Sequence, residues 1–186
     1  MSRRSPKAHR PGPGRELTLG FGLRVASLVA ILGLAPFALE RFLEWLPGSA
    51  TVALRELTAR VASWGVGLVG VPCLYDGGNQ LYLSNHVLRI DVACTAVAWM
   101  IMFVVSVLVV PVVRNRKWQA LSVGLPLILV ANLVRLVLVA MVSEWAPQYF
   151  FPVHDRVLQA SMAAVVIAIW AGFVWFARDD WKAGWG

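Results

Sequence analysis

The sequence predicts an all-α integral membrane protein: a bundle of about four transmembrane helices, an additional interfacial or re-entrant helix, and a small extracytoplasmic hairpin cap. Hydrophobic residues make up 59% of the 186-residue chain and its mean hydropathy is +0.68, whereas soluble domains contain roughly 45–50% apolar residues. Several apolar runs reach about 20 residues, enough to cross a hydrocarbon core of ~30 Å. Because no internal repeat is visible, we expect one membrane-embedded domain over 19–177, between tails at 1–18 and 178–186.

Four segments have the length and composition of transmembrane spans, namely 19–38, 96–113, 118–142 and 157–176. A fifth stretch, 51–71, carries Arg55, Glu56 and Arg60 in its first half. These charges do not fit a span buried in lipid, but they suit a helix that lies at the membrane surface. We therefore expect an interfacial or re-entrant helix there.

The basic residues indicate the orientation. Lys and Arg are concentrated in the N-terminal tail, in the loop 114–117 and in the C-terminal tail. Positively charged loops stay in the cytoplasm, and four crossings place all three segments there. The outer segment 39–95 and the loop 143–156 then face the exterior. The net charge of +7 and the pI of about 10.3 therefore reflect topology, and we expect the lipid bilayer rather than a nucleic acid as partner.

The pattern changes from helix to turn and strand within the outer segment. The run "DGGN" at 76–79 is a strong hairpin signal, and 80–83 and 88–92 have the pattern of short extended pieces. The run "VACTAVAW" follows directly, so Cys94 is expected at the outer start of the second span. A helix N-terminus carries about half a positive charge, which would lower the pKa of a thiol and favour its thiolate.

Two further spans bring polar groups to the same outer end. Arg135 lies inside the third span, about 9 Å below its exit. A charge at that depth costs ~2.5–3.5 kcal/mol, and its stem can snorkel toward the outer mouth. Asn132 shares its helix face. His154 stands at the outer start of the fourth span, beside Asp155, which suits the N-cap.

These groups suggest a reaction. Cys94 would be the nucleophile, His154 would take and return its proton, and Arg135 would stabilise an oxyanion. Asp91, three residues before Cys94, would orient His154 or pair with Arg135 or Arg89. The chemistry predicted is acyl transfer on a peptide bond at the outer face of the membrane.

The order of these residues resembles the exosortase/archaeosortase family, which consists of membrane-embedded cysteine transpeptidases. The matching positions are Cys94 in "DVACTA", Arg135 in "ANLVRL" and His154 in "PVHDR". Many relatives have Cys-Ser-Gly where this chain has Cys94-Thr95-Ala96, and the chain's size is similar to the short exosortase H type. The resemblance implies catalysis by Cys94, Arg135 and His154 through a Cys thioester, without a cofactor. It also implies a bacterial inner-membrane protein whose active site faces the periplasm or exterior. The implied partners are membrane proteins with a C-terminal sorting signal, made of a motif, a transmembrane helix and a basic tail.

Other interpretations remain open on the sequence. Cys73 and Cys94 could form a disulfide or serve a membrane thiol–disulfide oxidoreductase. The chain could also be a non-catalytic scaffold in which Arg135 pairs with Asp91 or Glu144. His86, in a turn of the cap, is the rival to His154. The two cysteines and three histidines have no metal-ligand spacing, so no metal site is expected.

Overall fold

A computed structural model of the chain describes residues 26–27, 30–31, 33–43, 48–110, 112–150 and 157–177. Residues 26–27 and 30–31 are helical, and 33–43 form the described part of a first helix, α1. The elements that follow are α2 (Ser49–Leu68), β1 (Cys73–Tyr75), β2 (Gln80–Leu83), β3 (Val87–Arg89), a 3₁₀ turn (Val92–Cys94), α3 (Val97–Val109), α4 (Arg114–Trp145), a second 3₁₀ turn (Pro147–Tyr149) and α5 (Gln159–Phe176).

Among the described residues, α4 and α5 are the helices long and apolar enough to cross a membrane. Helix α4 has 32 residues, which corresponds to roughly 48 Å, and the 18 residues of α5 correspond to roughly 27 Å. Helix α4 contains the predicted span 118–142, and α5 covers the predicted span 157–176 except for its first two residues. Pro126 lies inside α4 without ending it. The described part of the chain is mostly helical, and these two long apolar helices agree with the membrane protein that the hydropathy predicts.

Helix α3 is shorter than the predicted second span. Its 13 residues rise roughly 20 Å, less than the ~30 Å of a hydrocarbon core. It ends at Val109 because Val110, with φ −65° and ψ 127°, is extended, and a residue that precedes a proline is disfavoured in the α region. The first predicted span, 19–38, is helical where it is described, and most of its first half lies outside the described residues. The count of four spans stays a prediction.

Helix α2 covers the stretch for which an interfacial or re-entrant helix is predicted. It is not among the described helices that meet the requirements of a span. Its Ala59, Ala62 and Val66 are buried. Arg55 and Glu56, on the charged first half, border a cavity of about 200 Å³ beside the tip of the sheet. An amphipathic helix of this kind suits a membrane surface, and its position in the bilayer stays a prediction.

The predicted hairpin is present and continues into a third strand. The sheet is antiparallel in the order β1-β2-β3, with Cys73 opposite Leu83 and Gln80 opposite Arg89. In the β1–β2 turn, Gly77 has a φ of 94°, which a glycine adopts at little cost. The extended piece predicted for 88–92 ends earlier, because Val92 already belongs to the 3₁₀ turn.

Two hydrophobic clusters share the interior of the described part. One, here the bundle cluster, joins α3, α4 and α5 through large side chains such as Trp99, Phe103 and Trp170. The other, here the sheet cluster, joins α2, the sheet and the second half of α4, and it includes Cys94. Ala96, two residues later, belongs to the bundle cluster. The turn that carries Cys94 therefore lies where the two clusters meet.

Candidate active site

Cys94 is a free, buried cysteine at the end of the 3₁₀ turn, with 7% of its surface exposed. Its N–H donates to the carbonyl of Asp91 over 2.9 Å. Thr95 and Ala96 separate it from the first residue of α3. Cys94 thus lies just before α3, in a separate 3₁₀ turn that ends before the helix begins.

The backbone reverses between this turn and α3. Ala96 has φ 59° and ψ 0°, and it is the one non-glycine residue with positive φ in the described ranges. Its Cβ is crowded against the backbone in this left-handed conformation, which costs roughly 1–2 kcal/mol. Thr95 closes the preceding turn, because its hydroxyl donates to the carbonyl of Val92 over 2.7 Å. The reversal lets Cys94 face the sheet cluster while α3 continues into the bundle.

Two side chains from α4 hold the carbonyls of this turn. Asn132 donates from Nδ2 to the carbonyl of Cys94 over 2.8 Å, and Arg135 donates from Nη1 to the carbonyl of Ala93 over 3.3 Å. Residues three apart on a helix share a face, so one face of α4 supplies both donors. The structure thus brings Cys94, Asn132 and Arg135 together.

Arg135 extends from α4 to the turn that carries Cys94. It is 4% exposed, and its described partner is the Ala93 carbonyl rather than solvent. The hydrogen bond to this carbonyl replaces part of the hydration that a surface position would have given the guanidinium.

Both of these α4 side chains also present a buried atom that is not hydrogen-bonded. Asn132 Oδ1 and Arg135 Nε have no hydrogen-bond partner among the residues that the structure describes. Burying a polar atom in this way costs roughly 1–3 kcal/mol. Native proteins rarely tolerate that cost without a reason, and a bound ligand is one such reason. The pair supplies one acceptor and one donor beside Cys94.

The two acids considered as partners for Arg135 bind elsewhere. The Asp91 carboxylate lies 3.3 Å from Nε of Arg89 and its side chain is 48% exposed. Glu144 accepts from the N–H and the Nδ2 of Asn85, over 3.4 and 3.2 Å. Of the two roles for Asp91 that involve described residues, the structure contains the pairing with Arg89, and the third concerns His154, which lies outside the described residues.

Burial raises the pKa of the Cys94 thiol. A backbone hydrogen bond from Asp91 and the charge of Arg135 lower it, the charges of Asp91 and Glu40 raise it, and the net direction is upward. The expectation of a pKa lowered by a helix N-terminus is therefore wrong, since desolvation outweighs the local positive groups. A thiol in this state needs a base before it can act as a nucleophile.

Glu40 is a candidate that sequence reasoning missed. It lies on α1, is 5% exposed, and accepts from Nε2 of Gln159 on α5 over 3.5 Å. Its charge acts on the Cys94 thiol. The signal was available, because a carboxylate next to an apolar run is a functional candidate in a membrane protein. It was passed over because residue 40 fell just beyond the predicted first span.

The structure does not place the remaining candidate residues beside Cys94. His154 and Asp155 lie outside the described residues. His86 is exposed in the β2–β3 turn, where its carbonyl accepts from the N–H of Leu83. Cys73 is a second free cysteine, on β1, and burial raises the pKa of its thiol as well. The described ranges contain no cluster of three or more His, Cys, Asp or Glu side chains suited to a metal ion.

Comparison with known proteins identifies the class. A family model described as transmembrane exosortase matches residues 17–176 of the chain. This range covers most of the chain, including the sheet, the Cys94 turn, α4 and α5. The chain therefore belongs to the transmembrane exosortase family, and the resemblance stated from its motifs is confirmed. No curated protein and no solved structure matches the chain.

Proposed function

We propose that the protein is a membrane-embedded cysteine transpeptidase or protease that cleaves C-terminal sorting signals of exported proteins through a thioester on Cys94. The observation that carries the proposal is that a buried guanidinium, that of Arg135 on α4, binds the turn that carries the buried free thiol of Cys94. The guanidinium has a further donor, Arg135 Nε, that is not hydrogen-bonded to any residue the structure describes. A preorganised donor in a site that excludes water is what a developing oxyanion requires.

Acylation begins with proton transfer from the Cys94 thiol to a base, the role proposed for His154. The thiolate attacks the carbonyl carbon of the scissile peptide bond, and the resulting oxyanion is stabilised by Arg135. The tetrahedral intermediate collapses as the C–N bond breaks and the imidazolium returns its proton to the leaving amine. The upstream part of the substrate remains on Cys94 as a thioester.

Release requires a second nucleophile. Water would yield a hydrolysed product, and an amine or a lipid head group would yield a transferred one. In each case the nucleophile loses its proton to the imidazole, its electron pair forms the new bond to the acyl carbon, and the proton returns to the sulfur of Cys94. Asn132 supports this cycle by holding the Cys94 carbonyl.

The proposed substrates are membrane proteins that end in a short motif, a transmembrane helix and a basic tail. The proposed location is the inner membrane of a bacterium, with the active site at the periplasmic or exterior face. Family membership supports both statements. The basic residues Arg114, Arg116 and Lys117, at the start of α4, support a cytoplasmic position for the α3–α4 connection.

The test is covalent capture of a substrate. A tagged exported reporter protein, ending in a tripartite sorting signal from the same genome, is co-expressed with the full chain. We expect cleavage and a hydroxylamine-sensitive adduct with the wild-type protein, and neither with Cys94→Ala. His154→Ala and Arg135→Ala should abolish the adduct or reduce it by about 10²-fold or more, whereas Cys73→Ser should leave it unchanged.

Two outcomes would overturn the proposal. Equal loss of activity in Cys73→Ser and Cys94→Ala would favour a thiol–disulfide oxidoreductase, which needs both thiols. Unchanged reporter processing in Cys94→Ala would favour a non-catalytic scaffold. The yield and elution profile of each purified variant in detergent serve as the folding control.

A further inference from the structure

A groove between α2, α3 and α4 ends at the turn that carries Cys94. Its cavity has a volume of about 410 Å³. Leu57 lines it from α2, Met100 from α3, and Leu129 and Leu133 from α4. The lining residues that the structure describes are uncharged. The groove thus joins the lateral surface of the bundle to the candidate active site.

The apolar walls alone do not identify the occupant. Leu57 is 58% exposed, Leu129 49% and Val130 58%, so the groove is open to the side. Exposed aliphatic side chains in a membrane protein indicate contact with lipid tails or with another apolar surface, and they favour neither. The choice rests on the polar end of the groove.

Two polar side chains, those of Asn132 and Thr95, lie at one end of the groove. Asn132 lines the groove, is 4% exposed, and uses its Nδ2 on the Cys94 carbonyl, which leaves the buried Oδ1 without a partner in the described part. Thr95 lines it too, and its hydroxyl hydrogen is used on Val92. A lipid tail has no donor for these oxygens, whereas a peptide backbone carries one N–H per residue.

From this geometry we infer that the groove binds a short apolar stretch of the substrate polypeptide next to the scissile bond, with a backbone N–H donating to Asn132 Oδ1. The inference rests on the proposed function, because it supplies the binding site for the proposed substrate. A hydrogen bond from the substrate to Asn132 Oδ1 would offset the desolvation cost of burying this oxygen in the substrate-free protein. It would also place the peptide beside Cys94, because the same amide holds the Cys94 carbonyl.

The size of the groove separates the motif from the transmembrane helix of the substrate. A helix about 10 Å across and ~30 Å long occupies roughly 2,400 Å³. The groove is therefore far too small for a whole spanning helix and suits a short stretch of chain. A spanning helix needs ~20 residues, so most of it must lie outside the groove. The groove accordingly selects side chains near the cleavage point rather than the helix.

The first experiment maps contact directly. The photo-crosslinking residue p-benzoylphenylalanine replaces Leu129 in the groove or, as the matched control, Leu138, which lies on α4 outside the groove lining and is 41% exposed. Both are made in the full chain carrying Cys94→Ala, with the tagged reporter co-expressed. We expect the reporter to be crosslinked from position 129 and weakly or not at all from position 138.

The second experiment measures occupancy kinetically. Leu129→Trp fills the groove and Leu138→Trp places the same side chain on the same helix elsewhere. With the reporter as substrate, we expect Leu129→Trp to raise KM by about fivefold or more and to leave kcat within about twofold, as loss of uniform substrate binding predicts. Leu138→Trp should change neither constant.

These experiments separate failure of the groove from failure of the proposed chemistry. Equal crosslinking from both positions, no crosslinking from either, or lipid alone crosslinked from position 129 would overturn the groove even if the Cys94 adduct forms. An unchanged KM in Leu129→Trp would do the same. If the adduct never forms, selective crosslinking from position 129 would still support peptide binding while the transpeptidase proposal fails.

Discussion

At the scale of single residues, Arg135 combines a poor position for stability with a good one for chemistry. It lies about ten residues, or roughly 15 Å, before the end of α4. Among the described residues a backbone carbonyl is the partner of its guanidinium, and taking an ion out of water costs several kcal/mol. In return, a positive charge acts on Cys94 and lowers the pKa of a thiol that burial raises.

The raised pKa of Cys94 predicts how the resting thiol reacts. Alkylation needs the thiolate, so the rate of N-ethylmaleimide labelling should continue to rise with pH beyond ~8.5, the ordinary thiol value. Cys73→Ser leaves Cys94 as the reporting thiol. Replacing Arg135 by Met should move the profile to still higher pH, because a charge that lowers the pKa is lost, whereas Arg135→Lys should move it less.

An exposed reference thiol makes that measurement decisive. Asp76→Cys, at the exposed tip of the sheet, is examined in a chain that also carries Cys73→Ser and Cys94→Ser. A labelling midpoint for Cys94 at or below that of the reference would contradict burial as the dominant influence on the thiol.

Ala96 tests the strain in the turn. Glycine there would lose a buried methyl, worth roughly 0.8 kcal/mol, but would relieve a left-handed conformation worth roughly 1–2 kcal/mol. We expect Ala96→Gly to unfold within about 1 kcal/mol of the wild-type free energy. Ala140→Gly, at a buried position inside α4, removes the same methyl without relieving strain. It should lower the free energy of unfolding by about 1–2 kcal/mol more than Ala96→Gly does. Equal losses in denaturant titrations of the two variants would contradict strain at Ala96.

The same residue explains a departure from the family pattern. Relatives that have glycine after Cys-Ser place the residue best suited to positive φ where this chain keeps Ala96 at φ 59°. The chain reaches the reversal with alanine, and Thr95 closes the turn through its hydroxyl.

At the scale of elements, the contact between α3 and α4 depends on a glycine. A Cβ built on Gly124 would overlap the ring of Phe103 and approach Ile169 Cγ2 to 3.3 Å. Phe103 is fully buried, so its ring has little room to move. The absence of a side chain at position 124 therefore sets how closely the two helices approach, and with it the distance from Asn132 to the Cys94 turn.

Alanine scanning of two glycines checks this contact. Gly124→Ala should destabilise the protein by about 1–3 kcal/mol, as overpacking does. Gly172→Ala, where a Cβ would meet nothing within 4 Å, should be neutral or stabilising by up to about 1 kcal/mol. Thermal unfolding of both purified variants in one detergent measures the difference. An equal or larger loss for Gly172→Ala would argue against a specific α3–α4 contact.

At the scale of the whole molecule, the proposed topology makes the sheet and the α3–α4 connection face opposite compartments. Single cysteines at exposed positions report on each side: Asp76→Cys at the tip of the sheet and Asn115→Cys beside Arg116. In a chain that also carries Cys73→Ser and Cys94→Ser, a membrane-impermeant maleimide added to intact cells should label position 76. Position 115 should be labelled after the membrane is permeabilised.

The opposite labelling pattern, or labelling of both positions in intact cells, would contradict the orientation inferred from the basic residues. It would leave the geometry of the Cys94 turn unchanged. The compartment in which a substrate is cleaved would then have to be reassigned.

Local patterns were sufficient for a large part of the fold. The predicted span 118–142 lies inside α4, α5 covers all but the first two residues of the predicted span 157–176, and the hairpin turn lies where the run "DGGN" predicts it. Hydrophobic length and turn chemistry are properties of neighbouring residues, so both survive folding. The motifs around Cys94 and Arg135 were enough to assign the family, which the family comparison confirms.

The details of the site depended on contacts between distant residues. Asn132 lies 38 positions after Cys94, and whether its amide or another group meets that carbonyl depends on the rotation and depth of α4. The 3₁₀ turn before α3, the pairing of Asp91 with Arg89, and the burial of Glu40 on α1 have the same origin.

Composition and spacing alone establish a membrane protein, its helical segments, its hairpin and a thiol followed by an intramembrane arginine, because these features are encoded over one or two turns of chain. Tertiary packing alone decides that α4 holds the Cys94 turn and that two of its polar atoms remain without described partners. It also decides that burial raises the pKa of the thiol which local dipoles were expected to lower. Desolvation is the reason, since it depends on every neighbour that excludes water from a group and not on the residues beside it in sequence.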